Sequence, residues 1–258
     1  MKIPEIIVNQ DSINELEKIK EDSLKMMFLV FEKKRRDSAQ FSLKKIQYPD
    51  NNRSIIFPFF KKLANAKTKK VRIMHYGDSQ IEGDRISGRL RERLQKEFGG
   101  NGAGLFPLIP ATRKISLKNV PTNNWIRKTG FGPYIDKSVD HKKYGALFSF
   151  CKMEFDSLLI DSNYQFNGAI AINKPSKSYR LCRDYKTIKI YYTAEEKTIF
   201  RMLVNDSVFH TDTLRESSKI SLKKLDFSKS PKSMNIQFSS NSSPIIYGIS
   251  LEGKKGIV

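Results

Sequence analysis

Hydrophobic positions recur with two different periods along the chain, and the change of period divides it. Between residues 12 and 35, Ile13, Leu16, Leu24, Met27, Phe28 and Phe31 fall at helical spacing, broken by Lys20. That pattern predicts an amphipathic helix. Ser12 and Glu15 have the spacing of a capping box at its start. Lys33, Lys34, Arg35 and Arg36 give it the cationic end that a helix dipole favours. The Phe28 and Phe31 stripe is expected to pack into a core. A polar connector over 36–55 turns at Pro49-Asp50-Asn51-Asn52. Pro58 then opens a short helix over 59–66, with Phe59, Phe60 and Leu63 inward. Val71, Ile73 and His75 alternate with Arg72, Met74 and Tyr76, the pattern of a short strand. Beyond a sharp turn, Ile86, Leu90, Leu94 and Phe98 recur at steps of four. They mark the apolar stripe of a basic helix that stops at Gly99-Gly100.

From about residue 106 the helical period is lost. Segment 106–146 is rich in turns, with Pro107, Pro110, Pro121, Gly130, Gly132 and Pro133, and holds the single tryptophan, Trp125. Short β-type runs follow at 147–155, 157–160, 168–172, 187–193, 198–204, 207–212, 219–225, 233–239 and 245–251. Several alternate with period two, as in Ile188/Ile190/Tyr192, Phe200/Met202/Val204 and Met234/Ile236/Phe238. Many short strands at this spacing predict an antiparallel β-sandwich. The expected class is therefore an α/β part followed by a β-sandwich, β-rich overall.

Composition narrows the functional classes. The chain has 258 residues with 17 Phe and 10 Tyr, enough for a sizeable core. Its formal charge is +20, but the lysines are spread along the chain rather than gathered in one basic arm. A solvated basic surface is expected, and no specific nucleic-acid partner. Cys151 and Cys182 show no metal-ligand spacing, so buried free thiols or one disulfide are the alternatives, and no metal or cofactor is expected. No run is apolar enough for a membrane span, and the first twelve residues lack the apolar stretch of a secretory leader. Gly100-Asn101-Gly102-Ala103-Gly104 looks like a phosphate loop, but it follows a helix where a dinucleotide loop must follow a strand.

The chemistry concentrates at His75-Tyr76-Gly77-Asp78-Ser79-Gln80. A serine between a strand end and a helix start is where α/β esterases expose a nucleophile. The run HYGDSQIEGDR, with the basic helix and FGGNGAG after it, resembles the first block of the SGNH (GDSL-type) hydrolase family. Within that family it is most similar to Bacteroidetes-type esterases related to peptidoglycan O-acetylesterases, which carry an inserted carbohydrate-binding-like β-sandwich. Trp125, the stretch His141-Lys142-Lys143-Tyr144-Gly145 and the late Ile246-Tyr247-Gly248-Ile249-Ser250 resemble that insert. The resemblance implies an SGNH three-layer domain over 1–105, present here incompletely, a sandwich insert over 106–250, and a return to the first domain over 251–258. It places Ser79 as nucleophile and oxyanion N–H donor, and Asp78 as a brace of the turn rather than a triad member. Gln80, Trp125 and His141 are candidate binding residues, and Tyr134, Tyr144, Tyr179 and Tyr185 candidate sugar-stacking aromatics. It also implies a polysaccharide or peptidoglycan substrate and a periplasmic or extracellular location.

The chain departs from the pattern in one respect. The family's triad ends in an aspartate and a histidine three residues apart, but His75, His141 and His210 are preceded at that spacing by Arg72, Ser138 and Ser207. His75 is expected to be structural, His141 to fix the insert, and His210 to lie on a strand surface. The expectation is an N-terminal piece of a longer hydrolase, with little esterase activity alone, a frayed C-terminus and exposed apolar surface near Val71 and Ile73. The alternative is a non-catalytic carbohydrate-binding or wall-associated module with a vestigial turn.

Overall fold

A computed structural model of the chain describes residues 9–43, 46–132, 135, 137, 139–155, 164–176 and 178–258, without the side chains of residues 10, 12, 39–43, 82 and 141. The chain divides into two compact units, Met1–Phe57 and Pro58–Val258.

The first unit is dominated by helix α1, Gln10–Leu43. It starts earlier and runs further than its hydrophobic period. At its start the Asn9 side chain accepts a hydrogen bond from the Asp11 N–H at 3.1 Å, a capping role that short amide side chains fill well. The expected partner Ser12 lies outside the described side chains. Pro49–Asn51 forms a short 3₁₀ turn, as the sequence predicts. Phe28 and Phe31 are not core residues; both are exposed.

The second unit is built mainly from two antiparallel sheets. Its strands are β1 (Lys70–Val71), β2 (Gly104–Phe106), β3 (Lys118–Pro121), β4 (Trp125–Thr129), β5 (Ser149–Met153), β6 (Phe166–Asn173), β7 (Thr187–Ala194), β8 (Thr198–Val204), β9 (Ser207–Leu214), β10 (Ser217–Asp226), β11 (Ser233–Ser240), β12 (Ile245–Glu252) and β13 (Gly256–Ile257). One sheet has the order β10-β7-β12-β5-β4, with β2 also paired to β12; the other has the order β3-β6-β11-β8-β9. The period-two residues turn inward, as alternation requires. Ile188 and Ile190 meet Phe200, Met202, Met234, Ile236 and Phe238 in one continuous core. Burying each such side chain stabilises the fold by roughly 1.5–3 kcal/mol. The predicted run at 157–160 lies outside the described residues.

Helices α2 (Phe57–Ala64) and α3 (Arg85–Phe98) flank a second, small parallel sheet. In it β1 pairs with β13, Lys70 with Gly256 and Val71 with Ile257. A second small core gathers Leu63, Ala66 and Ile257, with Val71, Ile73, Leu94 and Phe98 against them. The C-terminus is therefore not frayed, contrary to expectation: the Val258 N–H donates to Val71 O, and the Ile73 N–H donates to Val258 O. Of the three α2 residues expected inward, only Leu63 is buried; Phe59 and Phe60 are exposed.

The glycine-rich loop has a structural use. Gly102 has φ +95, and a Cβ there would stand 2.2 Å from the carbonyl oxygen of Leu251. Only glycine lets the loop lie backbone to backbone on the end of β12. The Gly102 N–H donates to Leu181 O, and the Gly253 N–H donates to Asn101 O.

Candidate functional site

The strand expected over residues 71–76 is shorter than its alternation predicts: β1 ends at Val71, six residues before Gly77 of the GDS turn. After Val71 only the Ile73 N–H still bonds to the C-terminal strand, and residues 72–77 have no strand partner. Asp78 then caps a 3₁₀ turn, Ser79–Asp84, its carboxylate accepting the Gln80 N–H at 2.9 Å. Its carbonyl accepts the Ile81 N–H at 3.2 Å. Asp78 thus braces the turn from both ends of its own residue. A Cβ at Gly77 would come within 3.3 Å of the Ile81 side chain, so a small residue suits that position. Ser79 and Gln80 are exposed at the start of the turn.

The far end of the turn is fixed by a buried ion pair. Asp84 sits in the left-handed region, φ 64, and is 6% exposed. Arg91, two turns along α3, grips it with both guanidinium nitrogens at 3.1 and 3.2 Å, while the Ser87 hydroxyl donates to it at 2.6 Å. Arg91 also donates to the Ser116 hydroxyl at 3.3 Å. Burial alone would raise the Asp84 carboxyl, but the Arg91 charge and these hydrogen bonds outweigh it and hold the group below the usual carboxylate range.

These contacts change the reading of α3. The helix turns its polar row, Asp84, Ser87, Gly88, Arg91 and Gln95, toward the protein. The Gln95 amide donates to the carbonyls of Gly102 and Ile257. Of the apolar stripe, Leu94 and Phe98 reach the small core, whereas Ile86 and Leu90 are exposed. Met74 and Tyr76 are exposed as well, and β1 has no strand on its other edge among the described residues. The apolar surface expected near Val71 and Ile73 is thus found a few residues further along.

A second buried carboxylate ties β1 to the sandwich. Glu252, at the end of β12, is 1% exposed. Lys70 reaches it at 2.7 Å, Arg72 at 2.9 Å and Lys189 at 3.1 Å, and the Ser250 hydroxyl donates to it at 2.9 Å. Burial works against its charge, but hydrogen bonds from Arg72, Lys70, Ser250 and Lys189 prevail and bring its pKa to about 2.

Lys114 completes the charged surroundings of Asp84. It lies in the loop that packs on the turn through the Ile115 N–H and Gly83 O. Burial lowers its pKa to about 8; Asp84 opposes the shift, while Arg91 and Arg127 add to it. The folded value lies below the unfolded one, so stability should rise with pH between about 8 and 10.5. Lys114→Met is expected to raise the melting temperature by a few degrees at pH 7 and to remove that rise. Urea unfolding of both proteins at pH 7 to 10 checks it.

Asp84, Arg91, Lys114 and Glu252 are missing from the sequence-derived site. The only signal for Asp84 and Arg91 is a polar row at helical spacing beside the apolar stripe of α3, and no local pattern marks Lys114 or Glu252. Trp125 requires correction. It is 4% exposed and packs edge-on against Phe238 at 5.6 Å, because its inward position on β4 places the ring between the sheets. Tyr144 and Tyr185 are likewise buried, and Tyr179 closes over Gly88; Tyr134 lies outside the described residues. His141 opens a 3₁₀ turn, His141–Lys143, and its side chain is not among those described. His75 is exposed, four residues before Ser79. His210 stands on β9 against Asp212 at 3.5 Å, in the sandwich. Among the described residues nothing is hydrogen bonded to the Ser79 hydroxyl. Cys151 and Cys182 are both free and buried, so no disulfide joins them. No described helix is long and apolar enough to cross a membrane.

No protein-family model matches the chain, and no curated protein matches it. Among solved structures, it is similar to one described as a peptidoglycan O-acetylesterase in action, with 16% identity and a TM-score of 0.47, over 78% of this chain. The chain spans about half, 48%, of that protein's length. It is also similar to a family 29 carbohydrate-binding module mutant complexed with cellulohexaose, at 14% identity and a TM-score of 0.35 over 61% of this chain and 93% of that one. A third is the family 32 module from C. perfringens NanJ in complex with galactose, at 12% identity and a TM-score of 0.31, over 53% of this chain and 93% of that one.

Proposed function

We propose that this chain carries the nucleophile block of an SGNH-type serine esterase that removes acyl groups from a polysaccharide outside the cytoplasm. One observation supports this reading above the others. Ser79 is exposed at the first position of a 3₁₀ turn that follows the parallel strand β1 across residues 72–77, with the Asp78 carboxylate spent on the turn itself. A serine so placed can attack an ester carbonyl while its own backbone N–H faces the developing oxyanion; the next two N–H groups, of Gln80 and Ile81, are taken up by Asp78. The Asp78 carboxylate keeps that backbone in place and takes no proton.

Attack requires a base, since a serine hydroxyl is weakly nucleophilic without one. No described side chain meets that need at Ser79, so the chain alone is expected to turn over acetyl esters near the uncatalysed rate. A triad member that is missing costs about three to six orders of magnitude. Fluorophosphonate labelling followed by peptide mapping tests the position of the nucleophile. Slow modification confined to Ser79 and lost in Ser79→Ala supports the reading. Labelling elsewhere, or labelling that survives Ser79→Ala, sinks it.

A second reading, binding of a glycan without catalysis, has its own support. The outer face of the five-stranded sheet carries Asn235, Gln237 and Ser239 on β11, beside Ala171, Ala169 and Asn167 on β6 and Arg201 on β8. Small side chains between amides, with the aliphatic Leu203 and Ile199 of β8 beside them, leave a mixed surface that can meet both the hydroxyls and the apolar faces of sugars. Calorimetry with soluble wall glycans distinguishes the readings: binding that persists in Ser79→Ala and is lost in Gln237→Ala belongs to the sheet.

A further inference from the structure

Helix α1 presents apolar side chains that an isolated helix cannot keep in water at no cost. Leu16, Ile19 and Leu24, and the unbroken run Met26 to Phe31, are all between 53% and 66% exposed. Helices gain most of their stability from packing such residues away. The run lies near the middle of the 34-residue helix and points in every direction around it. Shallow grooves beside it, one lined by Glu21, Leu24, Lys25, Phe28 and Leu29, would accept side chains from a neighbour.

The charges on either side of the run specify what that neighbour is. Lys20, Glu21, Asp22 and Lys25 precede it; Glu32, Lys33, Lys34, Arg35, Arg36 and Asp37 follow it. Turning the segment end for end about the Phe28–Leu29 bond sets Lys25 beside Glu32 at the same height along the paired axes. It likewise sets Glu21 and Asp22 at the height of Arg35 and Arg36. These pairings are of opposite sign, Lys33 and Lys34 fall opposite the uncharged Leu24 and Ser23, and Met26 to Phe31 falls on itself. In a parallel pair each of these charges would meet its own copy. We infer that α1 is a self-association helix, which pairs antiparallel with α1 of a second copy of this chain about a two-fold axis at Phe28–Leu29. The interface is isologous, so each opposite-sign pair occurs twice. The pairs within one helix, Glu21 with Lys25 at 3.0 Å and Glu32 with Arg35 at 3.5 Å, are both surface contacts and can be shared with the partner.

Sedimentation equilibrium of the full chain should show a dimer at micromolar concentration. Glu21→Lys/Asp22→Lys and Arg35→Glu/Arg36→Glu should each weaken it at least tenfold, because each places like charges at both ends of the pair. An equimolar mixture of these two variants should dimerise as the parent does, since each end then regains opposite signs. Introduced cysteines report the direction: an Asp22→Cys chain mixed with an Arg35→Cys chain should cross-link between unlike chains. Three results would overturn the inference. They are a parent chain that stays monomeric at about 100 µM, a mixture no better than its components, and cross-linking of each cysteine only to its own copy. A monomer that binds vesicles of phosphatidylcholine and phosphatidylserine through α1 counts against it too, and assigns the apolar run to a lipid surface.

Discussion

Replacing Glu252 by Gln is expected to lower the unfolding free energy by about 3–5 kcal/mol, the range for removing one partner from a buried ionic cluster. The size follows from what stays behind. Three cations converge on one carboxylate, and two of them, Lys70 and Lys189, are largely buried. Without it they repel one another where water cannot screen them. In a unit of this size the loss is a fall of roughly 10 °C in melting temperature. Amide exchange localises the damage: Val258 and Ile73, whose N–H groups join β1 to the C-terminal strand, should lose protection before the sandwich core does. Adding Lys189→Met to Glu252→Gln should recover part of the stability, because it removes one of the stranded charges. Acid probes the same cluster. The folded-state pKa lies below the unfolded value, so this stabilisation is present above about pH 4.5 and is lost as pH falls toward 2. It amounts to about 3 kcal/mol for a shift of this size. A stability curve with no acid-side loss in the parent beyond that of Glu252→Gln would refute the assignment.

The sandwich was legible in the sequence because its strands bury one face each. Alternation at Ile188/Ile190/Tyr192 or Met234/Ile236/Phe238 maps directly onto inward positions, and eight of the nine predicted runs fall on described strands. Strands β3 and β4 were not legible. They are four and five residues long, and β3 ends on a proline, so neither carries enough alternation to register. Trp125 misled for a related reason: a lone aromatic in a turn-rich segment can be taken for a binding residue until its strand is known. The turn itself was legible, since Gly77, Asp78 and Ser79 act through backbone geometry within a few residues. Its supports were not. Glu252 lies far along the chain from Lys70 and Arg72, and no local pattern relates them. In α3 the apolar stripe suggested which side faces inward, yet half of that stripe is exposed and the polar row is buried. Hydrophobic period reports the average preference of a face; here a satisfied Asp84–Arg91 pair and the Gln95 hydrogen bonds outweigh it.

That buried pair carries the other large expected effect. Asp84→Ala should destabilise the fold by about 3–5 kcal/mol, since it leaves the Arg91 guanidinium buried with only Ser116 and Cys182 within reach. Asp84→Asn should cost less than Asp84→Ala. Asparagine tolerates the left-handed backbone at this position, whereas alanine adds about 1 kcal/mol of strain or more. The double variant Asp84→Asn/Arg91→Leu separates the pair from its surroundings. If the two side chains stabilise chiefly through each other, the double variant should be more stable than Asp84→Asn alone, with a coupling of about 1–3 kcal/mol. Losses that simply add would show that each residue acts through other contacts. The consequence for Ser79 is separable from unfolding. The 3₁₀ turn is held between Asp78 and Asp84, so loosening the second end should slow fluorophosphonate modification of Ser79 under conditions where circular dichroism shows the sandwich intact. Unchanged modification in a folded Asp84→Asn protein would mean that the Asp78 brace alone positions the hydroxyl.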